Sequence, residues 1–170
     1  MEEGADAVLV TNTLGHLDPE LEAFARRHTH TTRRAGRARV GPGIGPVLAY
    51  VPYVDDLEFA MDLARGSSLA VVETASFPLE GWARWLGAWD LVNDEASAPL
   101  PGVLAGAVDR LAFYGNNGFG DDFGKRQATA ILRELCAADE PTRLLPSAVL
   151  AAGVSARGVA KLEKSLAKAA

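Results

Sequence analysis

Apolar residues follow two rhythms along this chain. In the first half, short unbroken apolar runs alternate with segments whose apolar positions recur every three or four residues. The run Ala7–Thr11 is rich in β-formers and predicts a buried strand. Asn12 to Asp18 reads as a turn. Asp18 then Pro19 is a helix start, because Asp can cap and Pro tolerates the first helical position. That helix is expected to run to about His28, with Leu17, Leu21, Phe24 and Ala25 at helical spacing. Val47–Val51 is the second strand and Pro52 closes it. Asp55 or Asp56 is expected to cap a helix to about Arg65, and Gly66 suits its end. Ser68–Glu73 is the third strand. A helix from about Pro78 carries Trp82, Trp85 and Trp89 at spacings of three and four, which predicts one packed face. Ala88–Val92 is a candidate fourth strand.

Continuous apolar strands separated by helices predict an α/β fold, an open and mostly parallel sheet of three to four strands flanked by helices. Pro99 and Pro101 mark a joint. Beyond it the pattern is helical, over about Val103–Phe113, about Phe123–Ala137, and two shorter helices between Ser147 and Lys168. The expected organisation is therefore a sheet core over residues 1–98, a glycine-rich loop with helices over 99–140, and a C-terminal helical hairpin over 141–170. At 170 residues these are expected to form one compact domain.

Charge changes this picture more than composition does. The net charge is −5, yet Arg26, Arg27, Arg33, Arg34, Arg37 and Arg39 fall within 26–39 with no acid among them. Residues 51–140 carry fifteen acids against six bases, and the tail from Arg157 turns basic again. Guanidinium forks suit phosphates. Arg33, Arg34, Arg37, Arg39, Arg157 and Lys161 are therefore candidate nucleic-acid contacts. The alternative is a solvated loop whose arginines pair with the chain's own acids.

Other features narrow the chemistry. One cysteine, Cys136, precludes an internal disulfide and points to a reducing compartment. It reads as a small packing residue, since no His or cation cluster beside it would activate the thiol. The N-terminus is acidic and no apolar run approaches membrane-spanning length, so a cytoplasmic protein without membrane contact is expected. His28 and His30 have strand spacing, but the arginines oppose a cation and no metal site is expected. The loop from Tyr114 to Arg126 holds four glycines and precedes a helix. It departs from a Walker loop, which needs Gly, four residues, then Gly-Lys-Ser/Thr. Asn116, Asn117, Asp121, Lys125 and Arg126 remain candidate ligand-binding residues.

Ligands of open parallel sheets bind beyond the carboxyl ends of the strands. Asn12 and Tyr53 are candidate binders at that edge, and Glu73 is the candidate catalytic base. Leu150–Leu162 resembles the middle of a helix-turn-helix, with Ser155 as the cap of the second helix. Gly158 departs from the hydroxyl residue usual there. The leading expectation is a small binding protein for nucleic acid or another phosphorylated ligand. The alternatives are an enzyme acting on a nucleotide or phosphorylated small molecule, and an interaction subunit, including a homo-oligomer, that uses the tryptophan face. The sequence leaves any cofactor unidentified.

Overall fold

A computed structural model describes residues 6–15, 17–36, 40, 44–73, 75 and 77–169. The chain divides into two compact units, Met1–Phe77 and Pro78–Ala170. The first is α/β, and the second, which includes the C-terminal third, is largely helical.

The first unit contains β1 (Val8–Val10), α1 (Pro19–Ala25), β2 (Thr29–Thr31), β3 (Val47–Tyr50), α2 (Val54–Leu63) and β4 (Leu69–Val72). All four strands are parallel, in the order β2-β1-β3-β4. Val8 pairs with Thr29 on one side and Val47 on the other. Val47 pairs in turn with Leu69. Val8, Val10, Val47 and Ala49 point to one face and pack on Ala60 and Leu63 of α2 and on its C-cap Ala64. Leu9 points the opposite way and is fully buried. Central strands buried on both sides have no polar positions to alternate, which is why β1 is unbroken Val-Leu-Val.

The fourth strand of the sheet is not Ala88–Val92 but Thr29–Thr31, which follows directly on α1. Polar composition disguised it. Thr31 is wholly buried, but its hydroxyl donates to the Gly36 carbonyl at 3.2 Å, with the Thr32 carbonyl 3.4 Å away, so burial leaves no orphan donor. The expected helix to His28 stops at Ala25, with Arg26 as its C-cap.

The second unit contains α3 (Glu80–Leu86), β5 (Trp89–Asp90), β6 (Glu95–Ala96), α4 (Gly102–Tyr114), α5 (Asp122–Ala137), a 3-10 turn (Thr142–Leu144), α6 (Leu145–Ala151) and α7 (Ala156–Ala169). β5 and β6 form a small antiparallel hairpin. Asp90 prevents a longer strand: its carboxylate accepts the backbone N–H groups of Val92 and Asn93 and folds the chain back. The Asn93 side-chain amide, which donates to the other carboxylate oxygen at 2.8 Å, and these backbone donors hold the Asp90 pKa below its ordinary value. α3 ends at Leu86 with Gly87 in the left-handed conformation, so Trp89 lies beyond the helix and is exposed, whereas Trp82 is buried, and the three tryptophans do not form one face. Cys136 is also exposed, because α5 turns Ile131, Leu132 and Leu135 inward.

α6 is the centre of this unit. Leu145, Ala148, Val149 and Leu150 are buried, and the helix packs on α3, α4 and α7. Ser147 of α6 is buried, and its Oγ accepts the Trp82 N–H at 3.3 Å in the first turn of α3. A hydroxyl from another helix thus supplies the cap that the α3 N-terminus lacks locally. Ser147→Ala is expected to destabilise the fold by about 1–2 kcal/mol, through the loss of this cap on the first turn of α3. Denaturant unfolding at constant slope measures it, and an unchanged midpoint would show the cap to be dispensable.

Candidate functional site

In the first unit, the strand order places β1 between strands that the chain reaches in opposite directions. The loops leaving β1 and β3 therefore part, and such a switch point is where open α/β sheets hold ligands. A cleft of about 190 Å³ lies there, lined by Thr11, Asn12, Asp18, Leu21, Tyr50 and Val51 among others.

The cleft is built from hydrogen bonds between loops. Asn12 Nδ2 donates to the Val51 carbonyl at 3.1 Å and ties the end of β1 to the end of β3. Its Oδ1 is buried with no partner among the described residues. Val51 has a φ of 48°, a left-handed conformation that is rare for a β-branched residue. Strain of this kind persists where surrounding bonds over-determine the backbone. The Asn12 bond and the Val51 N–H donation to Val72 O at 3.0 Å do so here.

Asp18 precedes α1, but its side chain makes no capping bond. It accepts instead from the Tyr50 hydroxyl at 3.2 Å across the cleft, and that carboxylate raises the Tyr50 pKa. Thr11 Oγ donates to the Thr13 carbonyl and lies 2.8 Å from His30 Nε2. A hydroxyl has one proton, so Nε2 of His30 must be the donor to Thr11. His30 therefore orients Thr11 and does not act as the base of a Thr nucleophile.

The arginine segment resolves into separate parts. Arg26 pairs with Glu22 and Arg27 donates to the Ala23 carbonyl, so both serve the end of α1. Arg37 and Arg39 lie outside the described residues. Arg33 and Arg34 are exposed on a turn that follows β2, at the same carboxyl edge as the cleft and one strand from β1. Thr32 Oγ accepts the Ala35 N–H, and Gly36 N–H donates to Thr32 O, which fixes this turn. Arg33 reaches Asp55 in the first turn of α2 at 3.7 Å. The sequence-level alternative, arginines paired with the chain's own acids, thus describes Arg26 and part of the environment of Arg33.

Tyr53 is exposed and forms the N-cap of α2. Asp56, three residues on, is buried. Burial raises its pKa, against the lowering effect of the Tyr53 backbone N–H and of Arg33. Glu73 lies just beyond β4 at the same edge, exposed and outside the cleft lining. Asn12, Tyr53, Glu73, Arg33 and Arg34 therefore share one edge, with only Asn12 lining the cleft. Thr11, Asp18, Tyr50 and Val51 were missed as lining residues. The run from Thr11 to Asp18 after an apolar strand was their one signal. His28 bonds to Asp6 and His30 to Thr11, and among the described residues no three ligand side chains cluster to hold a metal.

In the second unit, Asn116, Asn117 and Asp121 line a second, shallow cleft of about 420 Å³. Lys125 and Arg126 are exposed beyond it, and Lys125 pairs with Asp122 at 3.5 Å. Lys161 is not presented to solvent as a recognition residue. Its ammonium donates to the carbonyls of Gly118 and Phe119 at 2.9 and 3.4 Å and closes the glycine loop over α7. Ser155 Oγ accepts the Gly158 N–H, as the predicted cap of α7. The departure at Gly158 has a packing reason: a Cβ there would lie 3.1 Å from Gly118 Cα and 2.6 Å from Val154 Cγ1. Arg157 stays exposed.

No protein-family model, curated protein or solved structure matches the chain. Among the described residues, no helix is long and apolar enough to cross a membrane.

Asp56 yields a signed pH dependence. A carboxyl whose folded pKa is raised binds its proton more tightly in the native state, so its contribution to stability falls as pH rises above the ordinary carboxylate range. Asp56→Asn keeps an acceptor for the Tyr53 N–H and removes that penalty. The variant is expected to melt higher than the parent at neutral pH and to match it in acid. Melting curves across pH measure this, and a variant that loses stability at neutral pH would show ionised Asp56 to be stabilising.

Proposed function

We propose that the first unit binds a small phosphorylated ligand of the nucleotide class at the carboxyl edge of its sheet. One observation carries the proposal: the switch-point cleft and the Arg33–Arg34 turn stand on adjacent strand ends, about 5 Å apart in the sheet direction. Two guanidiniums offer the forked donors that a phosphate accepts. Asp18 and Tyr50 supply an acceptor and a hydroxyl of the kind that bind a sugar. Asn12 fixes the loop beneath.

Polymer contact through the C-terminal helix has less support. Lys161, central to its basic stripe, is bonded to loop carbonyls.

The test is thermal unfolding of the full chain with nucleoside mono- and diphosphates, pyrophosphate, and short DNA and RNA, at low and high salt. A ligand at about a hundred times its Kd stabilises by roughly 2.7 kcal/mol, a rise of about 5 °C or more. A small phosphorylated compound is expected to give that rise, and Arg33→Ala with Arg34→Ala to weaken its affinity about 10- to 100-fold. No shift with any small phosphate compound, or a shift indifferent to both substitutions, would overturn the proposal. So would a response confined to polymers.

A further inference from the structure

The second cleft has a chemistry of its own. Its walls are Phe113 and Tyr114 from the end of α4 and Phe123 from the start of α5. Phe113 meets Tyr114 edge-on at 5.2 Å and 79°, and Tyr114 meets Phe123 edge-on at 5.7 Å and 75°. Large rings are ordinarily covered, yet Phe113 is 77% exposed and Phe123 55% exposed. Perpendicular rings present a negative face beside each positive edge.

The cluster is held in place from behind. Gly124 brings the first turn of α5 against α4, where a Cβ would lie 2.9 Å from the Tyr114 carbonyl oxygen. Phe119 is buried as the anchor of the loop, and Lys161 holds its carbonyl. The backbone that carries the rings is therefore closely packed.

Charge selects the occupant. Among the residues lining the cleft, the formal charge is the Asp121 carboxylate, with no Lys or Arg. Asp122 follows it, and Lys125 is drawn to Asp122. The N-terminus of α5 lies here, but Asp121 Oδ1 already accepts the Gly124 N–H, so an anion would meet a carboxylate instead of open donors. Exposed π faces beside a carboxylate favour a weakly hydrated cation.

We propose that this cleft binds a methylated or quaternary ammonium group carried by a small molecule. The ammonium sits on the faces of Phe113 and Phe123, and Asp121 supplies the opposing charge. Asn116 and Asn117 at the rim hydrogen-bond the remainder of the ligand. The site is independent of the phosphorylated ligand proposed for the first unit.

The experiment is an amide-resolved NMR titration of the full chain with choline and with 3,3-dimethylbutan-1-ol, its neutral isostere. Choline is expected to shift the amides of Gly115–Gly124 to saturation, and the isostere to bind about ten-fold more weakly. Phe123→Leu keeps the apolar volume but loses the π face. Asp121→Asn keeps a good N-cap but loses the charge. Each is expected to weaken choline several-fold, and the same spectra report whether each variant is folded. Equal binding of choline and its isostere would reduce the cleft to an apolar patch and overturn the proposal. So would the absence of choline shifts, or affinity unchanged in both variants. N-trimethyl-lysine in place of choline distinguishes an amino-acid source from an amino-alcohol one.

Discussion

A parallel strand cannot return to its neighbour through a tight turn, and everything in the first unit depends on that constraint acting at β1. Val8, Leu9 and Val10 are excluded from water, with β2 on one side and β3 on the other. The chain must leave β1, cross, and come back, first to one flank and later to the other. The two crossings pull the loops apart at the carboxyl edge. The cleft follows from topology before any side chain is chosen. Side chains then fix its form, through the Asn12 bond to Val51, the Tyr50 bond to Asp18, and the left-handed backbone at Val51.

The same topology explains why two features that looked separate in sequence meet. The arginine cluster and the sheet edge suggest different partners when read along the chain. Thr29–Thr31 is a strand, so its carboxyl end falls beside that of β1 and displays Arg33 and Arg34 there. Two of its six arginines play another part, because Arg26 and Arg27 close the end of α1.

Burial patterns made the α/β class legible, along with β1, β3, β4 and the helices of the second half. These elements bury apolar side chains, and apolar spacing reports them directly. The failures came where polar groups decide. β2 is Thr-His-Thr, stabilised by hydroxyl bonds that hydropathy does not register. Ala88–Val92 has the composition of a strand, but the Asp90 carboxylate turns it into a hairpin tip, leaving Leu91 and Val92 exposed. Of the candidate site residues, Asn12 was legible because polar residues after a buried strand mark its carboxyl end. Lys161 was not, since whether a cation faces solvent or a loop carbonyl depends on contacts some forty residues away.

The most direct test of the central claim is an amide-resolved NMR titration of the full chain with the nucleotide that stabilises it most. The account predicts shifts concentrated at residues 11–18, 32–36 and 50–57, the loops that leave β1, β2 and β3. Shifts concentrated in α7, or none at saturating nucleotide, would contradict it and remove the sheet edge as the site.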